Sequence, residues 1–262
     1  MMRALALAAL LAAPAAAQTV PEAPRPIAAS KIILVGDSTT AVIGGWGPSF
    51  CAYHVTSFAA CVNLARGGRS SGSYRAEGSW DLALAEMRTP GFRDIWVLIQ
   101  FGHNDQPGKP GRSTDLASEF PANIARYVDE ARAAGAKPVL VTPLTRRMFK
   151  DGTLQNDLEP WAAAIRKVAA EKKVPLLDLN AESSAAVQAM GEAAADRFAQ
   201  LPPGSAPVVP TASTETEVQP MAQPRLSFDR THLGVEGANY FATMVTRELA
   251  AAVPAMRPLL IP

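Results

Sequence analysis

Ile32-Ile33-Leu34-Val35-Gly36-Asp37-Ser38-Thr39-Thr40 sets the fold class of this chain. Four consecutive apolar residues are of strand length, and the run has no polar alternation. Such a strand is buried on both faces, as in a parallel sheet covered by helices. A glycine and a polar cluster come directly after it, at the carboxyl end, where doubly wound sheets hold their ligands.

Further along the chain, four more short apolar runs carry the same signal: Cys61–Leu64, Ile95–Phe101, Val139–Thr142 after Pro138, and Leu176–Leu179 after Pro175. Helical patterns lie between and after them. Ser118–Ala134 places Phe120, Ile124, Tyr127, Val128 and Ala131 at helical spacing and stops at Gly135. Leu158–Lys172 carries Trp161, Ile165 and Val168, and Ala181–Ala199 is rich in Ala and Glu. Val235–Val253 carries Tyr240, Met244 and Leu249. Strands alternating with helices predict an α/β fold with right-handed crossovers. Five strands in one sheet give a flavodoxin-like three-layer sandwich with a five-stranded parallel sheet.

The expected organisation is one domain over residues 31–255. Residues 1–17 read as a signal peptide: Arg3, an apolar run from Ala4 to Ala13, then Ala15-Ala16-Ala17 before Gln18. The run is too short to span a membrane, and no cysteine follows it, so neither a membrane anchor nor a lipid anchor is expected. Residues 18–30 read as a Pro/Ala-rich linker. Residues 201–227 contain six prolines among small polar residues and read as a loop insertion of a length usually reserved for function or disorder. The mature protein is expected to be exported, periplasmic or extracellular. That compartment permits a disulfide between Cys51 and Cys61, the alternative being two buried thiols.

With 25 basic and 24 acidic residues the formal charge is +1. Loss of Arg3 with the leader leaves 24 of each sign. This offers no basic surplus for a phosphate backbone, so nucleic acid is not an expected partner. With three histidines and two cysteines, a four-cysteine zinc site is excluded, and no His-Glu-x-x-His occurs. Neither a metal nor an organic cofactor is expected.

Four polar clusters fall at element ends: Gly36–Thr40, Asn63–Ser70, Gly102–Asp105 and Asp229–His232. Together they suit nucleophilic acyl transfer. A serine needs a base, the base needs a carboxylate to fix its tautomer, and the tetrahedral intermediate needs N–H donors. Ser38 is the candidate nucleophile, His232 the base and Asp229 its partner three residues earlier. Ser38, Gly68 and Asn104 are candidates for the oxyanion hole. Each element alone has a plainer reading as a helix cap, a tight turn or a core histidine. A second G-x-S-x-G pattern, Gly68–Gly72, lacks both a strong preceding strand and an evident following helix, so Ser70 is not the expected nucleophile. His103 and Asp105 are expected to support the site loop, and His54 to serve packing or the surface.

In these blocks the chain resembles the SGNH (GDSL-like) hydrolases, flavodoxin-like α/β enzymes named for Ser, Gly, Asn and His in separate blocks. Ser38, Gly68, Asn104 and the Asp229/His232 pair match them over roughly residues 31–250. Within that family it looks most like the rhamnogalacturonan acetylesterase branch, through Gly36–Thr40, Gly45-Trp46-Gly47, Gly68–Ser71, Gln100–Asp105, Thr142-Pro143-Leu144 with Arg146-Arg147, and Thr231-His232-Leu233. Gly72 departs from it where the branch often has Arg, and the 201–227 stretch is longer than usual. The resemblance implies a serine esterase that removes O-acetyl groups from a carbohydrate, a pectic chain first, through an acyl-enzyme. The alternatives are an esterase, lipase or thioesterase acting on non-carbohydrate esters and an inactive carbohydrate-binding domain. Arg69, Arg146 and Arg147 are expected substrate contacts, since guanidinium forks suit uronate carboxylates, and Trp46 is expected either to stack on a sugar or to lie in the core.

Overall fold

The computed structural model describes residues 28–204 and 228–262. The expected signal peptide, nearly all of the expected linker and most of the 201–227 insertion lie outside the described residues. Ser30, assigned to the linker in sequence, is instead the first residue of a strand, and its N–H donates to the Phe58 carbonyl.

A single five-stranded sheet organises the domain. Its strands are β1 (Ser30–Gly36), β2 (Ala59–Asn63), β3 (Ile95–Gln100), β4 (Lys137–Val141) and, after a two-stranded hairpin of β5 (Phe149–Lys150) and β6 (Thr153–Leu154), β7 (Leu176–Leu177). They run in the order β2-β1-β3-β4-β7 and all pair in parallel. The helices are α1 (Gly47–Tyr53), α2 (Ser73–Ala76), α3 (Ser79–Met87), α4 (Glu119–Ala133), α5 (Glu159–Lys172), α6 (Leu179–Met190), α7 (Glu192–Asp196) and α8 (Val235–Ala252). This is the flavodoxin-like sandwich the strand pattern predicts.

Strand pleating sorts the apolar residues into two cores, because successive side chains point to opposite faces. Ile32, Leu34, Trp96, Leu98, Val139 and Val141 face α1, α6 and α8, meeting Phe50, Val187, Phe241 and Leu249. Ile33, Val35, Val97, Ile99 and Leu140 face α3, α4 and α5, meeting Trp80, Phe120, Tyr127 and Ile165. Each large side chain buried this way contributes roughly 1.5–3 kcal/mol.

Several elements differ from the sequence reading. The fifth strand shrinks to Leu176–Leu177, because Asp178 is already the residue from which α6 starts. The single helix expected over 181–199 is broken at Gly191 into α6 and α7. The helices α1, α2 and α3, of seven, four and nine residues, are too short to repeat an apolar period. The domain also continues past residue 255: a 3-10 helix spans Pro254–Leu259, Leu260 bridges Val55, and the Ile261 N–H donates to the His54 carbonyl. His54 in turn places Nδ1 2.8 Å from the Ile261 carbonyl, so it fastens the C-terminal segment.

Cys51 on α1 and Cys61 on β2 form a disulfide across ten positions, with Cα atoms 5.5 Å apart. Closing so short a loop stabilises the fold by about 2.5 kcal/mol in the chain-entropy account. Replacing both cysteines by alanine should therefore lower the melting temperature by roughly 5–10 °C, as read by circular dichroism. The same shift should accompany reduction of the unmodified protein.

Candidate active site

In a sheet of this order the chain reverses its winding direction between β1 and β3, and a crevice opens at their carboxyl ends. The turn after β1 carries Ser38 into that crevice. The two strands approach so closely there that a Cβ on Gly36 would lie 2.7 Å from the Gln100 carbonyl oxygen, a contact no side chain tolerates. Beyond Gly36 the turn is held from every side. The Asp37 carboxylate accepts the Thr39 N–H at 2.9 Å and the Thr39 hydroxyl at 2.8 Å. The Gln100 amide donates to the Thr39 hydroxyl at 2.6 Å, and the Trp46 indole donates to Gln100 at 3.0 Å. From β2, the Asn63 amide donates to the Thr40 carbonyl at 2.9 Å. Trp46 is fully buried in this network, which settles its two readings: it is core and has no face to offer a sugar.

The segment leading into the last helix brings the other half of the site. His232 Nε2 lies 2.8 Å from Ser38 Oγ, and His232 Nδ1 lies 3.0 Å from Asp229 Oδ2. The second Asp229 oxygen accepts the backbone N–H groups of Thr231 and His232, both at 2.7 Å. Burial alone would raise the pKa of this carboxyl, but the hydrogen bonds from the His232 side chain and the two N–H groups outweigh it and bring it to about 2. Asp229 is thus charged throughout the range in which an imidazole titrates.

Arg147 holds this segment in place, which corrects its expected role as a substrate contact. Its side chain is fully buried, and its guanidinium donates to the carbonyls of Asp229, Thr231 and His232, the last at 2.8 Å. Burial pulls its pKa down to about 10, against the pull of Asp229 and Asp196. Arg230 adds a two-pronged pair with Asp196 at 2.8 and 2.9 Å, and the Leu233 N–H donates to the Gly44 carbonyl.

Gly68 and Asn104 flank the serine from β2 and β3. Gly68 has φ +79°, a conformation that costs a residue with a side chain energy, and a Cβ on its neighbour Gly67 would touch Ser38 Cβ at 3.6 Å. One Asn104 amide proton goes to the Arg69 carbonyl at 3.1 Å, and the amide carries a second. Asp105 braces both loops. It accepts the Ser71 N–H, the Ser71 hydroxyl at 2.6 Å and the Thr114 hydroxyl at 2.9 Å, yet its burial still raises its pKa to about 6.

His103 is buried, with Nδ1 3.3 Å from Asp37 Oδ2. Asp37 is nonetheless held below the ordinary carboxyl range. Its burial, which raises the pKa, is outweighed by the neighbouring His103 imidazole and by the Thr39 bonds. A short helix, α2, does come after Gly68–Gly72, contrary to the sequence reading, but Ser70 is fully buried and bonded to Ser73. Arg69 and Arg146 sit at the rim, each in an ion pair, with Glu77 and Asp157 respectively. Sequence reasoning missed Lys109 and Arg112, which the 105–118 loop brings to the same rim. The only signal was a glycine- and proline-punctuated turn, Pro107–Gly111.

Arg147→Met keeps bulk but removes the donors to three carbonyls, so denaturant unfolding should show a loss of roughly 2–4 kcal/mol. The two carboxyls tilt stability in opposite directions. Asp105 binds its proton more tightly when folded, so stability falls as pH rises from 3.8 to about 6. Asp229 binds its proton less tightly, so stability falls as pH drops from 3.8 to about 2. Unfolding across pH 3–7 should show the first limb flattened in Asp105→Asn.

The chain is similar to several known proteins. Residues 34–239 match the model of the GDSL-like lipase/acylhydrolase family. The chain is 33% identical over 224 residues to the rhamnogalacturonan acetylesterase RhgT of Bacillus subtilis, covering 82% of this chain and 87% of that one. It is 35% identical over 171 residues to the probable rhamnogalacturonan acetylesterase YesY of the same organism, covering 63% of this chain and 76% of that one. Among solved structures, the Bacillus subtilis protein YxiM superposes with a TM-score of 0.65 at 22% identity, over 87% of this chain and 58% of that one. Axe2, an acetylxylan esterase from Geobacillus stearothermophilus, superposes with a TM-score of 0.56 at 18% identity, over 86% of this chain and 96% of that one. At these identities the two structures speak for the fold alone. The chain belongs to the GDSL-like lipase/acylhydrolase family, the SGNH hydrolases.

Proposed function

We propose that this carboxylic ester hydrolase removes O-acetyl groups from a carbohydrate, a pectic polysaccharide or oligosaccharide first, through an acetyl-enzyme. The observation that carries the reading is the unbroken line from Ser38 Oγ to His232 Nε2 at 2.8 Å and from His232 Nδ1 to Asp229 at 3.0 Å. A serine hydroxyl so placed can pass its proton to the imidazole as it attacks the acetyl carbonyl. Asp229, ionised and itself fixed by two backbone N–H groups, keeps the proton on Nδ1 and so leaves Nε2 free to accept.

The N–H groups of Ser38 and Gly68 and the remaining amide proton of Asn104 then hold the oxyanion. His232 returns its proton to the departing sugar hydroxyl. It next takes one from water, which attacks the acetyl group on Ser38, and returns that proton to Ser38 Oγ as the acyl–oxygen bond breaks and acetate leaves. The leaving hydroxyl departs toward the open rim, where His232 and Asp229 are both partly exposed.

The pectic choice is supported by two relatives at 33–35% identity, both named for acetylated rhamnogalacturonan. Export is likewise part of the proposal. It is supported by the leader-like pattern of residues 1–17 and by the Cys51–Cys61 disulfide, which persists in oxidising compartments. No helix among the described residues is long and apolar enough to cross a membrane.

Acetate release from acetylated pectin, acetylated xylan and small sugar acetates tests the reading. Ser38→Ala should abolish release from all of them, and acetyl esters should far exceed octanoyl esters of the same alcohol. Retained activity in Ser38→Ala overturns the mechanism, and a preference for octanoyl esters overturns the substrate class. Asp229→Asn should lower kcat by roughly 10²–10⁴-fold with little change in KM, since it disturbs the tautomer and not the binding surface.

A further inference from the structure

Four cations crowd the rim beside Gly68 and Asn104. Arg69 is neutralised by Glu77 at 2.8 Å and Arg146 by Asp157. Among the described residues, Lys109 and Arg112 have no carboxylate at ion-pair distance. Both are held by neutral oxygens instead. Arg112 Nη1 lies 3.5 Å from the Gly68 carbonyl and 3.5 Å from Asn104 Oδ1, and Lys109 Nζ donates to the His103 carbonyl. Neutral acceptors position a cation without cancelling its charge.

The turn that carries the two cations is itself well fastened. The N–H groups of Arg112 and Ser113 donate to the Lys109 carbonyl at 3.0 and 2.9 Å. The Ser113 hydroxyl accepts the Lys109 N–H at 2.9 Å and donates to the Gln106 carbonyl at 2.8 Å. Two like charges are therefore kept at one rim. The strain shows in Lys109, whose pKa is held below the ordinary lysine range, first by burial and then by Arg146 and Arg112. An anion arriving there would relieve that repulsion.

Beside Arg112 opens a groove of 450 Å³, and Gly72, Ser73, Ser113, Thr114 and Asn123 are among its lining residues. Hydroxyl, amide and backbone groups line it together with Ala76, Ala122 and the Glu119 carboxylate, and no aromatic side chain does; Arg112 is the cation on its wall, so an anionic group of a hydroxyl-rich ligand is drawn to the Arg112 end. Gly72 keeps it open: a Cβ there would already stand 3.3 Å from Thr114 Cγ2.

We infer that Arg112, backed by Lys109, binds a carboxylate on the acetylated glycan, so that the enzyme selects uronate-containing chains over neutral ones. This rests on the proposed O-deacetylase reading. It also moves carboxylate recognition away from Arg147, which is buried, and from Arg69 and Arg146, which are already paired. The guanidinium nitrogens not turned toward Gly68 and Asn104 supply the fork a carboxylate fits. The contact would lie next to the proposed oxyanion hole, so the carboxylate would orient the acetyl group as well as bind the chain.

The test uses one acetylated oligogalacturonate in two forms, free acid and C6 methyl ester, which differ in charge but not in the acetyl group. The unmodified enzyme should prefer the free acid in kcat/KM by about tenfold at low ionic strength, as one charge-assisted contact implies. Salt should erode that preference. In Arg112→Gln the free-acid preference should collapse to about twofold or less, and Arg112→Lys should fall between. Because the reading is a ratio of two substrates, a general loss of activity cancels. Equal rates on the two forms with the unmodified enzyme overturn the inference. So does a preference that survives in Arg112→Gln, which would mean that Arg112 only braces Gly68 and Asn104. Ser38→Ala separates this from the parent reading: if that variant still releases acetate, the esterase mechanism itself fails. If it is inert and the free-acid preference is absent, only the Arg112 assignment fails.

Discussion

The rim of the molecule hangs on the close approach of β1 and β3. Where the two strands end there is no room for a side chain on Gly36, and the chain must turn at once. Asp37, Thr39, Gln100, Trp46 and Asn63 meet most of the polar groups of that turn inside the protein, while Asp37 Oδ2 and the Thr40 hydroxyl are buried without a hydrogen-bond partner. A buried polar chain of this kind is costly when incomplete and rigid when complete. The rigidity is useful here, because the proposed nucleophile must be held at a hydrogen-bond distance from its proposed base without a partner of its own on the same loop.

His232, the proposed base, comes from the opposite end of the chain, and a separate set of contacts places it. The segment between Asp229 and His232 makes no strand, and a helix begins only at Val235, so its geometry comes from outside. Arg147 supplies it by holding three carbonyls at once, and Arg230 pins the segment to α7. The Arg147 cation faces backbone oxygens, which leaves the Asp229 carboxylate for His232.

Much of this is legible in the sequence. The strands are readable because parallel strands buried on both faces are apolar runs with no competing pattern. Ser38, Gly68, Asn104, Asp229 and His232 are readable because they fall at element ends in a recurring order. Short helices such as α2 and the β5–β6 hairpin are not, since one or two turns or two residue pairs leave no period to detect. The arginines mislead for a different reason. An arginine code letter gives a charge but not its depth, and Arg146-Arg147 are neighbours of which one reaches an ion pair near the rim and the other points to the interior. Arg112 escapes a sequence reading because loop residues acquire meaning only from what the loop folds against.

The pair Ser38 and His232 is separated by 194 positions, with the whole sheet built between them. No amino-terminal fragment of this chain that stops short of residue 232 contains both halves of the proposed proton relay, however well it folds. The proposed relay therefore requires the segment before the final helix, residues 229–232, to be docked beside Ser38. If the chain is exported unfolded, as proposed, the two halves of the relay stay apart in transit and meet only once it has folded.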